Sequence, residues 1–290
     1  MNVSPIRISR RSVTLAAVAL VGMVSLAIGA HAALNKRSLD AAKAIATEQS
    51  LDAGNKASRI ALVIGNGHYP DASAPLTQSI NDARGLSEAL RDNGFEVDVI
   101  EDASKDDMTR AVARLKSRIR PDSVVMLFFG GYGIQVGRES YMIPVDATIW
   151  KESDVRRNGV SVESVLELMK EKGAAAKLVV VDASRRNPYE RRFRSFSHGL
   201  AAIDAPDNAL VLSSATPGKV ADDGKGANST LVTELLTNIN ARIDQASGAE
   251  AVFNRTRVAV ARASEGAQVP TISSSLREDV SFNVSEKTGS

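Results

Sequence analysis

The chain contains no cysteine. That excludes disulfide bridges, thiolate metal centres and any reaction that depends on a thiol of its own. Histidine is scarce: His31, His68 and His198 are the three in 290 residues. An excess of one charge sign is missing too, with 36 basic and 34 acidic side chains and a net charge of +2. The first 32 residues hold three of the arginines and no acid, so the remainder carries 33 basic against 34 acidic groups. That balance does not suggest nucleic-acid binding. No internal repeat is present, and no cofactor is expected.

What is present begins with an export signature. Arg7, Arg10 and Arg11 form a basic stretch, Val13 to Ala30 is apolar or small throughout, and Ala30-His31-Ala32 is an A-x-A triplet. Residues 1–32 therefore read as a signal peptide, which places the mature protein in the periplasm or outside the cell. An apolar run of about 18 residues also meets the lower limit of a membrane span, which would make the protein membrane-anchored if the segment is kept. Residues 33–56 are polar and alanine-rich and read as a linker or loose helix. Residues 57–285 hold the folded domain, and 43% hydrophobic content is enough for one sizeable core.

Within that domain, apolar runs alternate with helical patterns. Ile60–Gly65, Phe95–Ile100, Ser123–Phe129, Leu178–Asp182 and Ala209–Ser213 have the length and composition of strands. Ile80, Ala83, Leu86 and Leu90 fall at helical spacing, and Asn93-Gly94 closes that helix. Ser104 with Asp107 forms a capping box ahead of Met108, Val112, Leu115 and Ile119. Val162, Val165, Leu166 and Met169 mark a helix that ends at Gly173. Ser229–Ile243 and Ala251–Ala263 also read as helices. Tyr141–Asp146 contains a proline and reads as an edge or turn. Strands alternating with helices predict a parallel sheet covered on both faces. Ligands of such sheets bind beyond the carboxyl ends of the strands. Tyr132 and Ser184 each lie just past a predicted strand end, so both belong to that edge.

Several segments together resemble the caspase-like (peptidase C14) family, in particular its bacterial metacaspase-like members. Gly131-Tyr132-Gly133 is similar to the loop that carries the family's histidine, and Asp182-Ala183-Ser184-Arg185 to the turn that carries its cysteine. Arg59–Asn66, Asn81-Asp82-Ala83, Tyr141–Ala147, Ser213–Gly218 and Asn228-Ser229 match further stretches, and the resemblance spans roughly residues 58–282. It implies a caspase-like three-layer α/β/α sandwich with a mostly parallel sheet. It also implies that Tyr132 and Ser184 occupy the catalytic dyad positions, with both reactive groups replaced. By the same resemblance Asp82 and Asp182 stand where pocket acids select a basic residue, and the backbone amides of Gly133 and Ser184 where an oxyanion is held.

A serine nucleophile needs a base, because its hydroxyl is a far weaker acid than a thiol. A phenol with a pKa near 10 is ionised to about one part in a thousand at pH 7, so Tyr132 is a poor one. His31 leaves with the signal, His68 reads as a surface-loop side chain, and His198 follows the turn at a position the family does not use. Glu190–Arg194 forms a basic run that reads either as a solvated mobile loop or as a processing site. Asp222–Gly226 is too short for a calcium cage, and no metal site is expected. Two roles are open to Asp182: accepting amides at its own turn, or holding a ligand. Three functions follow. The first is an exported non-catalytic protein that binds peptides or proteins through basic residues. The second is a Tyr/Ser-variant peptidase of weak activity. The third is a regulator that pairs with an active homologue through its sheet edge.

Overall fold

The computed structural model describes residues 58–70, 76–184, 199–221, 226–241, 248–278 and 280–282. The predicted signal and linker, the basic run Glu190–Arg194, His198 and most of Asp222–Gly226 lie outside those residues.

Six strands build the main sheet: β1 (Arg59–Gly65), β2 (Glu96–Glu101), β3 (Val124–Gly130), β7 (Ala176–Asp182), β8 (Ala209–Ser213) and β9 (Thr271–Ser274). Their order is β2-β1-β3-β7-β8-β9. All neighbours pair in parallel except β8 and β9. The helices are α1 (Thr77–Asp92), α2 (Lys105–Arg118), α3 (Glu152–Asn158), α4 (Val162–Glu171), α5 (Thr230–Asn240) and α6 (Ala249–Ala263).

Strand alternation sorts the core into two layers. Ile60, Leu62, Ile64, Leu127, Phe129 and Val181 face Met108 and Leu115 of α2 and Val165 and Leu166 of α4. Ala61, Val63, Phe128, Val180 and Leu212 face Leu86 of α1, Leu235 of α5 and Phe253 of α6. Both β3 and β7 are buried along their whole length, as strands covered on two faces must be. The three-layer α/β/α sandwich is therefore the architecture observed.

The Ser104–Asp107 capping box forms as expected: the Asp107 amide donates to Ser104 Oγ and the Ser104 amide to Asp107. The segment Tyr141–Asp146 turns at Val145–Asp146, but its extended part is not an edge. That part lies in β5 (Glu139–Met142), the middle strand of a small antiparallel sheet with β4 (Gly133–Val136) and β6 (Val160–Ser161). A third apolar cluster, with Tyr69, Tyr132, Ile134, Tyr141, Ile143 and Ile149 among its members, underlies this sheet.

The first strand is fastened to the last described residues. Arg59 donates to Ser281 O at 2.6 Å and to Phe282 O at 2.9 Å, and its guanidinium lies 5.4 Å from the centre of the Phe95 ring. Phe282 packs against both Phe95 and Phe253.

Candidate functional site

Strand order reverses between β1 and β3, and in sheets of this kind the crevice at that point collects ligands. The chain leaves β1 through Gly65-Asn66-Gly67 and β3 through Gly130-Gly131. At Gly65 a Cβ would stand 2.5 Å from Ser79 O, so only glycine lets α1 pass this close. Asn66 ties three loops together. Its amide donates to Gly130 O at 2.8 Å, its side chain donates to Ile143 O at 3.1 Å, and it accepts from the Ala103 amide at 2.9 Å.

Sheet-like pairing continues past the ends of β3 and β7 and sets the Tyr132 loop beside the turn that carries Ser184. Gly131 donates to Asp182 O at 3.2 Å and Gly133 to Ala183 O at 3.0 Å. Tyr132 lies between these two bonds, next to the turn that carries Ser184. Its amide donates to the Tyr69 hydroxyl, which donates to Ile143 O. Its ring meets the Tyr69 ring edge-on, with centroids 4.7 Å apart, inside the third apolar cluster. Ser184 is 1% exposed. Its amide makes a long 3.4 Å bond to Ser214 Oγ and its carbonyl accepts from Ala221. Among the described residues no histidine, carboxylate or amine hydrogen-bonds its hydroxyl.

Of the two expected oxyanion donors, Gly133 differs from the expectation. The Gly133 amide is already spent on Ala183 O, because the strand pairing extends through it. A Cβ at Gly133 would also stand 2.9 Å from both Ala183 Cβ and Ala183 O, so this approach depends on glycine.

The two acids come together. Asp182 follows Val180 by two residues, so it faces the α1 and α5 side of the sheet. Beside it in register on β3 stands Gly130. Asp82 is 0% and Asp182 1% exposed. Asp82 Oδ1 accepts from Asn228 Nδ2 and from the Ser229 amide, both at 2.9 Å, at the N-terminus of α5. Asp82 Oδ2 is buried and has no hydrogen-bond partner among the described residues. Burial first, and the Asp182 charge second, push the Asp82 carboxyl up to about 7. The Asn228 and Ser229 donors pull the other way without winning. Gln78 and Asn81 of the same helix donate to Gly226 O and Ala227 O, so α1 grips the whole 226–229 segment.

His68 is exposed, as its sequence position suggested, but it is not isolated. Its Nδ1 lies 2.5 Å from Asp102 Oδ2, and the Gly67 and His68 amides both donate to Asp102 Oδ1. Burial pushes the Asp102 carboxyl up, but those amides and the imidazole outweigh it and leave it below the usual range. Sequence reasoning missed Asp102, Tyr69 and Asn66. The Gly-Asn-Gly after β1 was the one signal for Asn66. A shallow cleft of about 330 Å³ lies beside the β4–β5 turn, lined by Gln135, Arg138, Glu163 and Asp204 among others. Among the described residues no three His, Asp or Glu side chains gather as a metal site would require.

A two-faced parallel sheet, an accessory antiparallel sheet after its third strand and a buried acid pair beside a strand-end serine define a caspase-like α/β sandwich. The sequence profile of Peptidase C14, the Caspase domain, matches residues 58–281, and the chain belongs to that family. It is 31% identical over 147 residues to the human (Homo sapiens) protein "Mucosa-associated lymphoid tissue lymphoma translocation protein 1". That match covers 49% of this chain and 17% of the human protein. The mouse (Mus musculus) homolog is 31% identical over 136 residues, 46% of this chain and 16% of its own length. The chain thus spans about a sixth of these relatives.

Proposed function

We propose that this is an exported, non-catalytic caspase-fold protein that binds a basic residue of a peptide or protein at Asp82 and Asp182. The observation that carries the reading is the buried carboxylate pair beside Ser184, joined to a dyad position filled by a tyrosine and a serine. Asp82 Oδ2, buried with no hydrogen-bond partner among the described residues, is costly there unless a cation or a proton joins it. An arginine or lysine side chain meets that requirement. The loss of catalysis follows from the chemistry of the two replacements. Ser184 has no described base, and the phenol of Tyr132 is packed into an apolar cluster. Removing a nucleophile or its base typically costs on the order of 10⁴ to 10⁶ in rate, and here both are replaced.

The test joins hydrolysis to binding. Arg and Lys reporter peptides should give no turnover, a serine-directed active-site probe should not label the protein, and Ser184→Ala should change neither result. A fluorescent Arg-containing peptide should bind the wild type weakly and Asp182→Asn more weakly still. Turnover that vanishes in Ser184→Ala would replace this reading with that of a Tyr/Ser peptidase. Equal peptide affinity in wild type and Asp182→Asn would remove the pocket from it.

A further inference from the structure

Asp82 uses its two oxygens differently. Oδ1 is structural: it accepts from Asn228 and Ser229 and so holds the segment ahead of α5. Oδ2 makes no hydrogen bond among the described residues and is sealed from solvent. Among the described residues the groups around it are few. Asp182 on β7 is the charged one, Asn228 and Ser229 ahead of α5 are neutral donors, and β3 contributes Gly130 with no side chain. On α1 itself Gln78 and Asn81 turn to the 226–227 carbonyls, and Arg84 is paired with Glu101. No lysine or arginine among these groups neutralises Asp82.

We propose that Asp82 Oδ2 carries a proton in the ligand-free protein and that a guanidinium or ammonium group of the ligand displaces it, so that one cation is exchanged for another. This rests on the reading that the pair receives a basic side chain. The balance is simple: the O–H bond of Asp82 breaks, the proton leaves to solvent, and the ligand cation takes its place beside the carboxylate. Below pH 7 the net charge at the acid pair is the same before and after. That matters because a net charge added to a buried site carries a large desolvation penalty, whereas an exchange of cations leaves no new unpaired charge. The pocket is thereby selective for strong hydrogen-bonding cations, since a weak one cannot replace a covalently held proton. The Asp82 carboxyl, raised to about 7, puts the exchange within the neutral range.

The sign follows from linkage. Below pH 7 the ligand-free protein holds the proton, so binding must release it and affinity falls as pH falls. Above pH 7 the proton is already gone and affinity levels off. For a group at about 7, affinity should be about tenfold weaker at pH 6 than at pH 8. Isothermal titration of the full chain with acetyl-Gly-Arg-amide, in phosphate and in Tris, reads the proton directly. About half a proton should be released per peptide at pH 7, close to one at pH 6 and almost none near pH 9. Asp82→Asn keeps the acceptor for Asn228 and Ser229 but sets an N–H donor where the cation must sit. It should fold, shown by an unchanged circular-dichroism spectrum, and lose the peptide. Peptide binding with the same heat in both buffers and the same affinity at pH 6 and pH 8 overturns the exchange and leaves the basic-residue pocket standing. No binding at any pH overturns both.

Discussion

Replacing Asp82 by asparagine should make the protein more stable, and more so as pH rises. In the folded state the carboxyl is pushed up to about 7 by burial and by Asp182. In the unfolded chain it titrates near 3.9. Between these values the folded state binds the proton and the unfolded state does not. Stability from this group is therefore full below about pH 4 and is lost as pH rises towards 7. Worked through, its contribution falls by about 2.5 kcal/mol between pH 5 and pH 8, and by about 4 kcal/mol over the whole range. Asparagine does not titrate and retains an oxygen for Asn228 and the Ser229 amide. The gap between variant and wild type should thus widen by about 2.5 kcal/mol from pH 5 to pH 8, or roughly 5–10 °C in Tm for a domain of this size. Urea unfolding of both proteins at the two pH values measures it. A gap that stays constant to within about 0.5 kcal/mol would falsify the shared burial of the two carboxyls.

Other consequences are simpler to read. Gly133→Ala places a Cβ against Ala183 and Leu200 and should cost about 2 kcal/mol in a urea melt; an unchanged midpoint would mean the two turns are not held this close. Asn66→Ala leaves the Ala103 amide unpaired in the interior and takes one of two donors from the Ile143 carbonyl, which keeps the Tyr69 hydroxyl, and should cost about 1–3 kcal/mol by the same measurement; a loss under about 0.5 kcal/mol would show the three loops hold without it. If the export reading holds, N-terminal sequencing of protein from its host should begin at Ala33, whereas an intact Met1 in a membrane fraction would make the segment an anchor.

Legibility followed length and burial. The strands β3 and β7 were clear in the sequence because each is a seven-residue element buried on both faces, so its apolar run has no polar interruption. The capping box at Ser104 was clear because its signal lies within four residues. The small sheet was missed because β6 has two residues and β4 four, too few for a period to show. The edge strand β9, Thr-Ile-Ser-Ser, is only partly buried and carries little apolar signal. At the site, strand ends located Tyr132 and Ser184, while resemblance supplied Asp82. The side of the sheet that Asp182 faces was implicit in alternation from Val180. What no local pattern could give was Asp102. It adopts φ 46°, in the left-handed region, and its partners lie 34 and 35 positions earlier in the chain.

The Arg59 clamp bears on the order in which this domain can be completed. Arg59 enters early in the folded region, yet its carbonyl acceptors are 222 and 223 residues further on. As the chain emerges from the ribosome, β1 can pair with β2 and β3 and α1 can cover it. The guanidinium over Phe95 still waits for Ser281 and Phe282. Until then the Phe95 and Phe253 rings lack their shared neighbour and that end of the interior lies open to water. The nascent domain therefore stays unsealed until synthesis has passed β9 and reached Phe282, and proteolytic trimming that removes Ser281 and Phe282 would return the finished protein to that state.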